Sequence, residues 1–386
     1  MTTALDLHLS DEQQALYEDT RTLAAQQLKP IADGGTPGRV NRPLVKALAT
    51  EGLLHRLFGS DDGQVKAIEL CLIREALARD CTEAETAFAL QGLGAYPILQ
   101  AGTDAVKQEW MPHISQGTAV AAFALTEPDA GSDVSAIALA ATRESAGGGY
   151  RLTGEKLWIS NAPDADIYTV FARTGEGTKG LTAFAVPGTS ENLTGEPKTL
   201  LAPHAIGSLH FDGVYVPSDH LLGNPGEGFK VAMRTLDLFR PSVGAFAIGM
   251  ARTAIDLATT YASQRHTFGK PLKDHQAIAH RLADISARTH AARLLVHQAA
   301  NAHDSDIHDP ALAAMAKLLA TEIAQEAVDA AIQIHGARAL EHGHPLEHLY
   351  RDVRAPRIYE GASEIQREII ARRMFKAAEH REPATA

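Results

Sequence analysis

YRLTGEKLWIS (150–160), DIYTVFAR (166–173), GLTAFAVP (180–187) and SLHFDGVYVP (208–217) are rich in β-branched and aromatic residues and are separated by Gly, Pro, Asn and Asp. Four such runs within ~100 residues predict an antiparallel sheet or small barrel. The β texture extends from about Val120 to about Val216, and on both sides the apolar residues return to three- and four-residue spacing. Upstream, LVKALATEGLL (44–54) and AIELCLIREALA (67–78) read as helices, and Ser10 with Gln13 forms a capping box that opens the first one. Downstream, Asp309-Pro310 predicts a helix start, because aspartate caps and proline in the first turn loses no needed N–H. That helix runs on until Gly336 can end it. The expected plan is a helical domain over 1–119, a β domain over 120–225 and long helices over 226–386.

At 386 residues the chain exceeds one domain of the usual ~150-residue size. Lys plus Arg number 36 and Asp plus Glu 47, a net charge of −11, which argues against nucleic acid or an anionic membrane surface as partner. No apolar run reaches the ~18 residues of a membrane span. The start, MTTALDLHLSDEQQ, lacks the basic and apolar regions of a signal peptide. A cytoplasmic enzyme without membrane insertion is expected. Cys71 and Cys81 are the two cysteines, too few for a disulfide framework or a multi-cysteine zinc site. Cys71 falls on the apolar rhythm of its helix and reads as a buried thiol rather than a nucleophile.

Four segments carry chemistry. In Ala124-Leu-Thr-Glu-Pro-Asp-Ala-Gly-Ser-Asp133, Pro128, Asp129 and Gly131 favour a turn whose N–H groups can converge on an anion, and Thr126 and Ser132 add hydroxyls. An ordinary helix-to-strand loop is the alternative. Lys156-Leu-Trp-Ile-Ser-Asn161 ends a strand, so Trp158 and Ser160 face the same way, an indole beside a hydroxyl that suits a flat conjugated cofactor. A core tryptophan is the other reading. In Ser263-Gln-Arg-His-Thr-Phe-Gly-Lys-Pro271, Arg265 offers a planar fork for a pyrophosphate, against a plain helix-hairpin turn made by Gly269 and Pro271. In Arg357-Ile-Tyr-Glu-Gly-Ala-Ser-Glu-Ile-Gln-Arg367, Ser363 and Gln366 are spaced as a capping box, which places Glu360 just before a helix. Apolar surroundings raise a carboxylate's pKa and a helix N-terminus lowers it, so Glu360 is a candidate tuned base or a structural cap.

Together these segments, in this order, resemble the acyl-CoA dehydrogenase family of flavoproteins. ALTEPDAGSDVSA is similar to one family signature, and Gln333, Arg351-Asp352 and IYEGASEIQR are similar to the other. The resemblance spans roughly residues 10 to 375. It implies an α+β, mainly α fold: an N-terminal helical domain, a middle antiparallel β-barrel-like domain and a C-terminal four-helix bundle, assembled as a homotetramer or dimer. It implies that Glu360 removes the pro-R α-hydrogen of an acyl-CoA thioester as a proton while the β-hydrogen leaves as hydride to flavin N5, giving a trans-2-enoyl thioester. The thioester carbonyl is then polarised by the Glu360 N–H and a ribityl hydroxyl. Phe123, Leu125, Thr126, Gly131, Ser132, Trp158, Ile159 and Ser160 match FAD-binding positions. Arg265, Thr267, Phe268, Gln276, Gln333, Gly336 and Ala337 match positions that hold the dinucleotide of a neighbouring subunit, and Ala362 and Glu364 complete the cofactor set. Ser132, Asp237, Arg240 and Gly361 match substrate positions. The implied electron acceptor is an electron-transferring flavoprotein.

The chain departs from the family pattern in four places. Gly336-Ala337 replaces a Gly-Gly, Ala362 stands where Thr is common, and Arg56-Leu-Phe-Gly-Ser-Asp-Asp-Gly63 replaces a Pro-x-x-Tyr-Gly-Gly loop. Phe239 occupies the position from which a subgroup supplies its base, which leaves Glu360 without a rival. His342, His344 and His348 read as a histidine-rich turn around Pro345 rather than a metal site. The motifs describe flavin and α,β-chemistry but not the thioester carrier or the acceptor. A carrier-protein-tethered substrate, an oxidase using dioxygen and a catalytically silent helical scaffold stay open.

Overall fold

The computed structural model describes residues 9–58, 64–144 and 148–379; residues 59–63 of the altered loop and 380–386 of the tail lie outside them. Helices come first: α1 (Asp11–Leu23), α2 (Lys29–Asp33), α3 (Arg42–Thr50), α4 (Leu53–Leu57), α5 (Ala67–Asp80), α6 (Thr82–Ala101) and α7 (Asp104–Ser115). The strands follow as β1 (Ala121–Ala124), β2 (Ala140–Arg143), β3 (Gly149–Ser160), β4 (Ile167–Arg173), β5 (Leu181–Pro187), β6 (Leu193–Pro197), β7 (Ile206–Pro217) and β8 (Leu221–Leu222). After α8 (Gly228–Gln264), a hairpin of β9 (His266–Thr267) and β10 (Lys270–Pro271) leads to α9 (Gln276–Asp304). The last helices are α10 (Pro310–His335), α11 (Pro345–Asp352) and α12 (Ser363–Glu379). No helix among the described residues is long and apolar enough to cross a membrane.

The chain forms two compact units. One, the helical unit, holds Met1–Arg21, Ala67–Asp80 and Asp237–Ala386; the other, the sheet unit, holds Thr22–Lys66 and Cys81–Leu236. In the sheet unit the order is β6-β7-β3-β2-β4-β5-β8, with β1 paired to β4. Both β4 and β5 are buried along six of their seven residues, as their near-continuous apolar runs require of central strands. Of the two expected forms, sheet or small barrel, the sheet is found, and its expected strand direction is corrected in one place, at β4. The sheet is open rather than a closed barrel, because its edges are the largely exposed β6 and the two-residue β8. It is also not wholly antiparallel: β1 runs parallel to β4 with β2 and β3 intervening in sequence, and β2 meets β4 in one parallel bridge.

In the helical unit, α10 packs on α9 and α12, and α5 packs on α9. Small residues set the spacing. A Cβ at Gly249 of α8 would lie 2.5 Å from the Glu75 carbonyl oxygen of α5, so only glycine lets these backbones approach. Helix ends follow local chemistry. Gln13 N–H donates to Ser10 Oγ at 3.2 Å and Ser10 N–H to Gln13 Oε1 at 3.0 Å, the reciprocal box. Asp309 Oδ1 accepts from the N–H groups of Ala311 and Leu312, and Gly336 ends α10 at φ +66°. The run 44–54 is not one helix. It breaks where Gly52 takes φ +78°, a left-handed turn that separates α3 from α4. Cys71 is buried and free, and burial pushes its thiol well above the ordinary range.

Candidate active site

In the sheet unit the first signature becomes a tight turn. Glu127 and Ala130 exchange backbone hydrogen bonds around Pro128 and Asp129. Glu127 is buried and its carboxylate accepts from the N–H groups of Ala138 and Leu139 at 2.6 and 3.0 Å. Lys156 of β3, also buried, donates to Glu127 Oε1 at 2.7 Å and to the Leu125 carbonyl at 2.9 Å. Burial pushes its ammonium down to about 8, against the pull of Glu127. This pair fastens the signature turn to β3. The Leu157 N–H donates to the Thr126 carbonyl at 3.0 Å and continues the attachment.

That attachment falls where the β3–β7 register shifts, between Lys156 and Ile159. Before the shift Leu152 and Lys156 point inward, and after it Ile159 does. Trp158, which plain alternation would bury with Lys156, is instead 49 % exposed at φ +59°. A non-glycine residue held there stores on the order of 1–3 kcal/mol of strain. The core-tryptophan reading is thereby excluded, and Trp158 and Ser160 share the outward side of the strand. The hydroxyls of Thr126, Ser132 and Ser160 make no hydrogen bond among the described residues. Phe123 is half-buried with its ring 4.9 Å from Phe171, Leu125 and Ile159 are buried, and Gly131 and Ser132 are exposed. An exposed indole and three hydroxyls without hydrogen-bond partners suit a flat, conjugated ring with a polar edge.

In the helical unit a second set gathers at one end of the bundle. The Tyr261 ring stacks on His335 at 4.2 Å, which joins the end of α8 to the end of α10. Arg265, Phe268, Gln276, Gln333, Gly336 and Ala337 are all exposed there, Thr267 half-exposed. The extra methyl of Ala337 therefore faces open space. Phe268 and Gly269, at φ +50° and +80°, make the two-residue turn of the β9–β10 hairpin. That turn leaves the Phe268 ring 97 % exposed. An aromatic side chain displayed this way on a strained turn is suited to bind something outside the unit.

Glu360 belongs to the same helical unit but to another surrounding. It sits at φ +51°, and Gly361 follows at φ +92°. At that φ any side chain is strained, and a Cβ at position 361 would also displace the Gln366 amide, whose Nε2 it would meet at 2.4 Å. The expected capping box is not made. Ser363 Oγ donates instead to Glu322 Oε1 of α10 at 2.6 Å, and Gln366 Nε2 turns back to the Gly361 carbonyl at 2.8 Å. For Ser363 a charged tertiary acceptor, Glu322, displaces the local partner, and for Gln366 the Gly361 carbonyl of the left-handed turn, which has no helical donor, does so.

The Glu360 residue is half-buried, but its Oε2 is fully buried with no hydrogen-bond partner. Burial raises its pKa above the ordinary carboxylate value, while the charges of Arg74, Lys317 and Arg240 pull it down. Arg74 is buried, donates to Ser242 Oγ at 2.7 Å and lies over the Phe246 ring. Arg240 is buried, pairs with Asp237 at 3.1 Å and has an unpartnered Nε. Ala362 is half-buried, Glu364 is exposed, and Phe239 is buried apolar core. Sequence reasoning missed Lys317, Arg74 and Glu322. The available signal was a charge within an alanine-rich or leucine-rich helical stretch. The histidine cluster disperses: His342 faces Glu347, His348 faces Asp352, and His344 Nδ1 accepts the Leu346 N–H at the start of α11.

Comparisons with known proteins agree along the chain. Family models described as acyl-CoA dehydrogenase N-terminal, middle and C-terminal domains match residues 10–118, 122–214 and 226–375. Cyclohexane-1-carbonyl-CoA dehydrogenase of Geobacter metallireducens is 34 % identical over 377 residues, 96 % of this chain and 99 % of that protein. The structure of butyryl-CoA dehydrogenase from Megasphaera elsdenii superposes with a TM-score of 0.89 at 33 % identity, covering 96 % of this chain and all of that one. A structure of PigA with FAD and proline gives a TM-score of 0.89 at 27 % identity, over 96 % and 99 % of the two chains.

Proposed function

The chain belongs to the acyl-CoA dehydrogenase family, oxidoreductases acting on acyl-CoA, and we propose that it dehydrogenates the α,β-bond of its thioester with Glu360 as base. The observation that carries this reading is the buried, unpartnered Oε2 of Glu360, held on a left-handed turn among three cations. A carboxylate oxygen with no other donor to satisfy is free to take a carbon-bound proton. Burial makes it a stronger base than an exposed glutamate, and Arg74, Lys317 and Arg240 keep enough of it ionised to act. Among the described residues no carbonyl accepts from the Glu360 backbone N–H, which can therefore donate to the thioester oxygen as enolate charge develops. Asp237 and Arg240 serve the pantetheine arm.

FAD, when bound, supplies the acceptor for the β-hydrogen and its electron pair. Trp158 would cover the ring, and the hydroxyls of Thr126, Ser132 and Ser160 would meet its polar edge and phosphates. Arg265, Phe268, Gln276 and Gln333 would hold the dinucleotide of a neighbouring copy, in a homo-oligomer that we take to be a tetramer. An electron-transferring flavoprotein is the acceptor consistent with the family. Anaerobic mixing of the FAD-loaded protein with straight, branched and cyclic acyl-CoA thioesters tests the reading. At least one should bleach the flavin. Full FAD occupancy with no bleaching by any of them would overturn it, and bleaching only by a carrier-tethered thioester would reassign the substrate.

Two further outcomes follow from the cofactor residues. Trp158→Ala should change the flavin absorption spectrum and speed reoxidation by dioxygen, because the ring loses its cover. A spectrum and oxygen reactivity equal to wild type would remove Trp158 from the cofactor site. Arg265→Glu should purify with little flavin and melt at lower temperature, since a carboxylate repels the pyrophosphate that the guanidinium attracts. Cofactor and assembly stabilise each other by linkage, so added FAD should shift the wild-type oligomer and not the variant. Gel filtration with absorbance detection reads both; a wild-type monomer fully loaded with FAD would sink the shared site.

A further inference from the structure

Lys317 lies in the first third of α10 within AAMAKLLA, and none of its surface is exposed. Its Nζ donates to the Tyr359 carbonyl at 3.1 Å and to the Gly361 carbonyl at 2.7 Å, the two carbonyls that bracket Glu360. The turn so held is one the chain resists, with Glu360 a non-glycine residue at φ +51°. A second attachment comes from the same helix. Glu322, five residues on, receives Ser363 Oγ at 2.6 Å and the Arg357 guanidinium at 2.8 Å, one from each side of the turn. Helix α10 thus grips the turn at its centre through Lys317 and at its flanks through Glu322.

We propose that Lys317 is the positioning residue for Glu360, holding the strained Tyr359–Gly361 turn by its two carbonyls so that the carboxylate is aimed for proton abstraction. A neutral donor could make the same hydrogen bonds, as Gln366 does to Gly361 at 2.8 Å. An ammonium adds charge. Burial lowers its own pKa to about 8, and its strongest attraction is to Glu360. The other charges bearing on this pair are Arg74 from α5, Arg240 from α8, Glu322 from α10 and Glu364 from α12. Lys317 is therefore expected to act twice, on the geometry of the base and on the pH at which it ionises.

The inference rests on Glu360 being the base, and the test separates the two. Flavin reduction by a good acyl-CoA is followed by rapid mixing across pH in the FAD-loaded wild type, Lys317→Met, Gln366→Met, Glu360→Gln and the Glu360→Gln/Lys317→Met double variant. Lys317→Met should lower the plateau rate roughly ten- to hundredfold, the size expected of a misplaced catalytic group, with KM little changed. Its acid limb should move to higher pH, because a general base that loses a neighbouring positive charge needs less acid to be protonated. Gln366→Met should lower the rate without moving the limb. The double variant should be no slower than Glu360→Gln alone, since Lys317 acts through Glu360. If the methionine variant does not fold, Lys317→Gln, an uncharged donor in its place, should show the same shift of the limb. A wild-type rate and limb in the Lys317 variant would overturn the proposal while leaving the base in place. An active Glu360→Gln would overturn the reading of the base itself.

Discussion

Glu360→Gln is expected to keep its FAD and to lose acyl-CoA-driven flavin reduction by about 10²–10⁴-fold, the usual contribution of a general base. The amide preserves the shape of the side chain on its left-handed turn but cannot take the α-proton. The same substitution should stabilise the fold. Burial raises the folded-state pKa of Glu360, so the folded chain binds this proton more tightly than the unfolded chain does. Such a group contributes full stability below its unfolded pKa and loses it as pH rises through the folded one. Glutamine escapes that loss, so its gain in melting temperature over wild type should be small in acid and larger at neutral pH. Activity and stability would then move in opposite directions from one atom pair. A variant that bleaches at the wild-type rate would place the base elsewhere. One that is inactive but no more stable at any pH would mean the buried carboxylate carries no strain.

What the sequence makes legible is mostly local. Asp309-Pro310 and Gly336 bound α10 because capping, ring geometry and left-handed backbone act within a few residues. The four β runs become β3, β4, β5 and β7 for the same reason. The failures occur where a distant partner decides. Ser363 and Gln366 have capping-box spacing, but Ser363 Oγ donates to Glu322, forty-one residues away, and the box does not form. The outward turn of Trp158 depends on a register shift against β7, which no inspection of KLWIS reveals. Parallel pairing of β1 with β4 and the open edges at β6 and β8 are likewise properties of the assembled sheet. At the site, Glu360 could be named from its motif, whereas Lys317 could not, because a lysine in an alanine-rich helix carries no signature of the turn it will hold.

Glu75→Ala should be the most destabilising single change in the helical unit, by about 3–5 kcal/mol, the range for breaking a buried ion pair from one side. Glu75 of α5 is 1 % exposed and accepts from Arg293 of α9 at 2.8 and 2.9 Å and from Arg252 of α8. Tyr17 of α1 receives Arg252 at 2.8 Å, and the planes of Arg252 and Arg293 lie over its ring. Three helices therefore meet on one carboxylate and α1 joins them through Tyr17, so its removal takes from two guanidiniums the carboxylate they share. Burial alone would raise the pKa of Glu75, but His297, Arg293 and Arg252 outweigh it and bring the group down to about 2. A depressed carboxylate contributes stability that is present above its unfolded pKa and lost as pH falls through the folded one. The difference in melting temperature between wild type and Glu75→Ala should accordingly be full at neutral pH and shrink between about pH 4.5 and 2. Arg74, the preceding residue on α5, acts on Glu360, so damage here could be mistaken for damage to the base. The two separate by measurement: Glu75→Ala should melt earlier yet keep the wild-type acid limb of flavin reduction at a temperature where it is folded. A melting temperature equal to wild type would show that the arginines find other partners, and a displaced acid limb would make Glu75 part of the tuning of Glu360.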